Sequence, residues 1–176
     1  DYDHWASLGN EGWSYDEILK YFKKAEHNET FDDQFHGQGG PLNVSKIRHE
    51  NKPTKDFVEA GSKLYKHNED FNGEEQEGIG FYQTTQKDGK RCSTAKAYLV
   101  PALDRPNLTV ITEANVNKIL IDNQKASGVE YIDAEGQSHI LSASKEVLLC
   151  SGAFGSPQIL LRSGVGPKEE IEKHGI

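Results

Sequence analysis

The residues best suited to chemistry lie between Val147 and Pro167. There the apolar stretch Val147–Cys150 closes a run over Lys145–Cys150 and opens into the small residues Ser151, Gly152 and Ala153. A continuous apolar run of this length reads as a strand buried on both faces. Small residues just past the carboxyl end of such a strand leave its backbone uncovered, and in open α/β sheets ligands bind at that place. The helix expected next directs its free N–H groups there, which favours anionic groups. Gly152 and Ala153 permit close approach by a flat or phosphorylated cofactor, but a strand–Gly–helix turn is common and tight packing is its commoner role. Ser156, as N-cap, with Pro157 in the first turn, is expected to start that helix and carry it to about Ser163.

No other set of residues carries a comparable pattern. His4, His27, His36, His49, His67, His139 and His174 show no H-x-x-x-H and no i, i+4 pairing, so no metal site is expected and each reads as a surface or loop histidine. His36 sits among glycines and reads as part of a structural turn. Cys92 and Cys150 form neither a disulfide framework nor a metal quartet. Cys150 reads as a small buried hydrophobe, and Cys92, although it follows Lys90-Arg91, as an inert thiol. A dinucleotide fingerprint G-x-G-x-x-G is absent. Gly78-Ile-Gly80 and Gly164-Val-Gly166 place Gln83 and Glu169 at the third glycine, and neither pair follows an apolar strand. Ser93 and Thr94 have no base near them in sequence, so nucleophilic catalysis is not expected there.

The elements that must position these residues change character near Pro106. Before it, the sequence predicts a short helix around Trp5-Ala6. A second helix, opened by the capping box Ser14–Glu17, should fade near His27-Asn28. A loop follows over Phe31–Gly40, then a short strand at Leu42–Val44 and a third helix from Thr54 to about Tyr65. Asn68–Gly80 is acidic, glycine-rich and without period, and reads as a solvated loop. Phe81–Thr85 alternates as a strand, Asp88-Gly89 marks a hairpin turn, and Ser93 or Thr94 caps a helix ended by Pro101 and Pro106. After Pro106, strands are expected at Leu108–Thr112, Asn115–Ile121, Gly128–Tyr131, His139–Leu141 and Lys145–Cys150. A last helix runs from Pro167 to His174, stopped by Gly175. The fold class is α+β: helices plus a small sheet, joined to a β-rich segment that ends strand–Gly turn–helix.

Composition narrows the function classes. The chain has 176 residues, a net charge of −8 and 35% hydrophobic residues, with 7 Phe, 7 Tyr and 2 Trp. That is enough for a packed core without disulfides or metals. Neither half is basic and the Lys/Arg residues do not cluster, so no nucleic-acid partner is expected. No apolar run approaches the roughly 20 residues of a membrane span. The chain contains no Met and begins Asp-Tyr-Asp, so it reads as a processed or excised piece.

The segment Gly152-Ala153-x-x-Ser156-Pro157-x-Ile159-Leu160-x-x-Ser163-Gly164-Val165-Gly166 resembles the second signature of the glucose–methanol–choline (GMC) oxidoreductases. Asp1-Tyr2-Asp3-x-Trp5-Ala6, Gly12-Trp13-Ser14-Tyr15 and Tyr21-Phe22-Lys23-Lys24-x-Glu26 are similar to the stretch that follows the family's first signature. His36-Gly37-x-x-Gly40-Pro41-Leu42, Phe71-Asn72-Gly73, Gly80-x-Tyr82-Gln83, Arg91-x-Ser93-x-Ala95, Ala97-Tyr98-Leu99, Arg105-Pro106-Asn107-Leu108-x-Val110 and Gly128-Val129-Glu130-Tyr131 extend the resemblance over essentially the whole chain. It is nearest to the bacterial choline- or alcohol-dehydrogenase-like branch.

The resemblance implies an FAD-dependent enzyme that takes a hydride from an alcohol carbon onto flavin N5, reoxidised by a quinone, a dye or O₂. It implies a substrate-domain and connecting region at 1–106 and part of an FAD-binding domain, FAD/NAD(P)-binding-like, at 107–176. Val116 resembles the family residue whose backbone hydrogen-bonds the adenine of FAD. Ser151, Gly152 and Ala153 resemble the turn near the ribose and diphosphate, and Ser93 and Thr94 fall in a region that approaches the active site. The family's dinucleotide clamp and catalytic histidine match nothing here. No catalytic residue is therefore assigned, and the isolated chain is expected to be inactive and to bind FAD weakly or not at all. Choline, aliphatic and aryl alcohols all fit, and a cytoplasmic location is expected. The alternative is a non-catalytic module that binds a small molecule or a protein and keeps the family scaffold.

Overall fold

Strand-forming residues become strands only where a neighbour accepts their hydrogen bonds, and this condition shapes both parts of the chain. The computed structural model describes residues 1–176, which divide into two compact units, Asp1–Leu108 and Thr109–Ile176.

In the first unit, α1 (Tyr2–Ser7) and α2 (Tyr15–Ala25) are joined through an aromatic cluster. Tyr2 packs on Trp5 at 5.3 Å and on Phe22 at 5.8 Å, and Trp5 packs on Trp13 at 5.7 Å. The capping box forms as expected. The Ser14 hydroxyl and amide donate to the Glu17 carboxylate at 2.5 and 3.2 Å, and those bonds hold its carboxyl below the usual range. The helix ends at Ala25, two or three residues earlier than expected, and the chain passes directly into β1 (Glu26–Asn28). Gly37 and Gly40 explain the stop. They lie so close to the α2 end that a Cβ on Gly37 would fall inside the Lys23 backbone, and one on Gly40 inside Ala25 and Glu26. The Gly40 amide then donates to Glu26 O, and the Asn28 amide to Gly37 O, in place of helical bonds. β1 pairs in parallel with β2 (Leu42–Val44).

The centre of this unit is polar. Asn28 is 2% exposed and His36 3%. The Asn28 amide group lies 3.0 Å from Glu26 Oε1, from Gln83 Oε1 and from His36 Nδ1. Its Oδ1 accepts from the Thr30 and Phe31 amides. His36 Nε2 meets Asp70 Oδ2 at 2.9 Å, and Nδ1 lies 3.3 Å from Glu26 Oε2. The reading of His36 as a surface or loop histidine is thus corrected in one respect: it lies in a loop, but buried, as a hub. The reading of Asn68–Gly80 as a solvated loop is corrected in part, since Asn68, Asp70, Phe71 and Ile79 are half-buried. Asp70 turns inward, while a His67–Ile79 bridge and bonds from the Asn68 side chain to Glu75 O and Glu77 O close the loop. Burial opposes charge on His36, but the hydrogen bonds that its ring donates to the Asp70 and Glu26 carboxylates outweigh it and raise its pKa.

α3 spans Lys52–Gly61 and not Thr54–Tyr65. Asn51 is the N-cap, its side chain accepting from the Thr54 amide, with Pro53 in the first turn. Beyond Gly61 the chain turns back on itself, its Leu64 and Tyr65 amides both bonded to Gly61 O. The hairpin β3 (Gln86–Lys87)/β4 (Lys90–Arg91) forms around Asp88-Gly89, whose φ values of 51° and 72° suit a type I′ turn. The strand expected at Phe81–Thr85 reduces to one bridge, Thr84–Ser45. Ser93 Oγ accepts from the Lys96 amide at the start of a π-helical turn, Ala95–Leu99. This runs on into a 3₁₀ turn, Val100–Ala102, so Pro101 continues the coil it was expected to end. Cys92 is buried.

In the second unit, β5 (Asn115–Asp122), β6 (Lys125–Ile132) and β7 (Ser138–Ser142) form an antiparallel meander in that order. Asn123 and Gln124 turn the first hairpin with positive φ, and Gly136 turns the second. Two expected strands do not form. Leu108–Thr112 and Lys145–Cys150 enter no ladder, because these 176 residues supply neither with a neighbouring strand. Leu148 is therefore 77% exposed, and Cys150 is exposed where a buried residue was expected.

α4 spans Gly152–Arg162 and α5 spans Lys168–Lys173. Ser156-Pro157 does not start α4: the N-cap is Ser151 and Pro157 lies inside the helix. Ser156 Oγ instead accepts from the Ser151 amide at 3.1 Å, reaching back to the helix start. α4 packs on β5, where Ile119 and Ile159 form the buried core at 8% and 7% exposure.

Two stability measurements test the first unit. Gly37→Ala is expected to cost about 2–4 kcal/mol in urea unfolding, since backbone and not a flexible side chain blocks the methyl group. Gly39→Ala has open space around it and only a positive φ, and is expected to cost about 1 kcal/mol. The second concerns pH. Because folding raises the His36 pKa, its contribution is complete below the unfolded value of about 6.5. It is lost as pH rises through the raised folded value. The urea midpoint is expected to fall across that window in the wild type, and His36→Gln to remove that part of the slope.

Candidate cofactor-binding site

Val116 lies near the start of β5, and β5 has a strand neighbour on one side only. The ladder decides where its peptide points. In an antiparallel pair, alternate residues turn both backbone groups toward the partner or away from it. On β6, the odd-numbered residues face β7, as the Ser127 carbonyl and the Asp133 amide at either end of that ladder show. Tyr131 therefore faces β7, and its cross-strand partner Val116 faces away from β6. A bulge at Asn117 places two residues of β5 opposite Glu130 and so keeps Val116 in this outward phase. Ile119 also faces outward, since its amide donates to Ser163 Oγ at 2.8 Å. The Val116 side chain is half-buried, so this position offers a free N–H and C=O on a side chain fixed by packing.

Ser151, Gly152 and Ala153 sit at the start of α4 and are exposed. Gly152 has φ +80° and nothing within 4 Å of the place a Cβ would take. The first amides of α4 have no intrahelical partner and are carried by exposed residues, which suits an anionic group. Phe154, in the same turn, is 94% exposed.

The structure thus keeps all four expected contact residues in the second unit, on two elements packed against each other. Sequence reasoning missed the Asn117 bulge and the role of Ser163. A β-bulge leaves no mark in hydrophobic alternation, and Ser163 had only its place in a motif. Opposite Val116, the Tyr131 ring stacks on His139 at 5.1 Å. His139 Nε2 lies 2.6 Å from Asp133 Oδ2, and that bond, with one from the Gln137 amide, holds the Asp133 carboxyl below its usual range.

In the first unit, Asp33, His36 and Asp70 bring ligand-type atoms within 4.8 Å of one another. Each atom already has a structural partner. His36 Nε2 is bonded directly to Asp70, and Asp33 Oδ1 accepts from the Phe35 and His36 amides.

Chemically, the second unit can pair a planar ring carrying adjacent donor and acceptor at Val116, and can seat an anion at the head of α4. Comparison with known proteins agrees with a cofactor-binding scaffold. The chain is 45% identical over 179 residues to an alcohol dehydrogenase [acceptor] of Pseudomonas putida, covering all of this chain and 32% of that protein. It is also 45% identical over 181 residues to an oxygen-dependent choline dehydrogenase of Yersinia pseudotuberculosis serotype O:1b, again covering all of this chain and 32% of the relative. The chain therefore spans about a third of the length of these relatives. Among solved structures, it superposes on pyridoxine 4-oxidase from Mesorbium loti with a TM-score of 0.87 at 31% identity, over 99% of this chain and 35% of that one. An FAD-dependent oxidoreductase from Chaetomium thermophilum matches with a TM-score of 0.88 at 28% identity, over 99% and 33%. Residues 1–174 match the GMC oxidoreductase profile, and the chain belongs to that family.

Proposed function

We propose that this chain supplies the adenine-side cofactor contacts and a substrate-side region of an FAD-dependent enzyme that oxidises an alcohol. The observation that carries the reading is the outward-facing peptide of Val116 on β5, beside a helix whose first turn, Ser151–Ala153, is bare. An adenine ring presents a donor and an acceptor on one edge, which a strand peptide pairs without any side chain. Exposed helix amides suit a ribose–diphosphate. These residues therefore fit FAD, which when bound supplies the hydride acceptor for the alcohol carbon. Val116 holds the adenine, Ser151, Gly152 and Ala153 lie against the ribose and diphosphate, and no residue of this chain is assigned to the hydride or proton transfer.

In this reading residues 1–106 belong to the substrate domain and its connections, and 107–176 to part of the FAD-binding domain. The relatives named alcohol dehydrogenase and choline dehydrogenase support a choline-like, aliphatic or aryl alcohol as substrate. The electron acceptor is a quinone, a dye or O₂. No helix is long and apolar enough to cross a membrane. Two free thiols, Cys92 and Cys150, suit a reducing compartment, and the cytoplasm is the proposed location.

The test compares the 176-residue chain with a full-length protein that contains it. The full-length protein is expected to purify with bound flavin and to reduce a dye with choline or another alcohol. The isolated chain is expected to show no dye reduction and weak flavin binding at most. Steady dye reduction by the isolated chain, or a full-length protein that binds no flavin, would contradict the reading.

A further inference from the structure

We infer that Ser163 is a positioning residue for the cofactor, a latch that fixes the open edge of β5 against α4. The inference rests on the reading of Val116 as the adenine contact. Ser163 follows the last residue of α4, and its Oγ makes two hydrogen bonds to backbone. It accepts from the Ile119 amide at 2.8 Å and donates to Ile159 O at 2.6 Å. Ile119 and Ile159 are the two buried apolar residues of the second unit, so one hydroxyl joins the strand and the helix where their side chains already pack. The Ile119 amide belongs to the outward-facing set that includes Val116. Ser163 therefore occupies the middle of the β5 edge and leaves its start, at Val116, free for a ligand.

The residues after Ser163 hold the latch in place. Gly164 takes φ +80°, and its amide and that of Val165 bond back to Leu161 O and Leu160 O, closing the end of α4. Gly166 lies against Leu161 so closely that a Cβ would overlap its side chain. Ser163-Gly164-Val165-Gly166 is thus one device. Its glycines set the reversal and its serine reaches the strand. α4 is one continuous helix, about 16 Å long at 1.5 Å per residue. Pinning its C-terminal end to Ile119 therefore also sets where Ser151–Ala153 stand relative to Val116. Without the hydroxyl, the Ile119 amide and the Ile159 carbonyl lose their common partner and the phase of the β5 edge is held by packing alone.

The experiment uses the full-length protein stripped of flavin, with dissociation constants for FAD, ADP and FMN measured by fluorescence or calorimetry. Ser163→Ala is expected to weaken FAD and ADP by at least about fivefold, the scale of one lost hydrogen bond. FMN, which lacks the adenine, should change less than twofold. Ser163→Thr keeps the hydroxyl and is expected to restore both affinities. Amide exchange at Ile119 should speed up in Ser163→Ala and not in Ser163→Thr. Val116→Pro removes the outward amide at an edge position that tolerates proline, and is expected to weaken ADP without changing Ile119 exchange. If Ser163→Ala leaves FAD and ADP within twofold while Val116→Pro weakens ADP, the latch is overturned and the adenine contact stands. An equal loss for FMN and ADP also overturns the latch, as a general loss of fold. If neither variant changes ADP binding, the adenine reading itself is wrong.

Discussion

β5 has a strand neighbour on one side only, and the second unit is organised by what happens to its other edge. A backbone edge left open must bond to something, whether water, side chain, another strand or ligand. Here Ser163 takes Ile119, and the bulge at Asn117 turns Val116 outward again one residue out of step. A strand without the bulge would point the Val116 peptide into β6 and leave the edge without its ring-pairing group. The feature most relevant to function is thus a single extra residue, placed where a perfect ladder would have spoiled the site.

The first unit solves a different problem. Its core is small and contains Asn28, His36, Asn43 and Ser45 beside Ile18, Val58 and Cys92. Burying polar groups costs free energy unless every one is bonded, and no buried side-chain nitrogen or oxygen here lacks a partner. Asn28 serves five partners, and His36 ties the glycine turn to a loop that is distant in sequence. A polar hub of this kind holds loops in fixed places where few apolar side chains are available, and it makes the unit sensitive to the charge of one imidazole.

Much of this was legible from the residues. The α+β class, the capping box at Ser14–Glu17, the Asp88-Gly89 turn, the strands at Asn115–Ile121, Gly128–Tyr131 and His139–Leu141 and the final helix follow from local chemistry alone, and all form. The family resemblance carried the rest of the functional reading. The errors share a cause. Leu108–Thr112 and Lys145–Cys150 have strand composition, but pairing is a property of neighbours, and no neighbour lies within this chain. His36 looked like a turn residue because its carboxylate partners, Glu26 and Asp70, stand 10 and 34 positions away. Ser156-Pro157 matched a helix start so well that the true start at Ser151 was hidden. There the exposed glycine at φ +80° allows an earlier entry, and the Ser156 hydroxyl reaches back to support it. Local signals locate elements, whereas bulges, hubs and latches depend on what the fold brings together.

The central claim is that the open peptide of Val116 receives the adenine of FAD. The most direct measurement is residue-resolved amide hydrogen exchange on the full-length protein, with and without saturating ADP. The expected result is strong slowing at Val116 on adding ADP, with Ile119 unchanged because Ser163 already holds it. Saturation with ADP and no slowing at Val116 would contradict the claim.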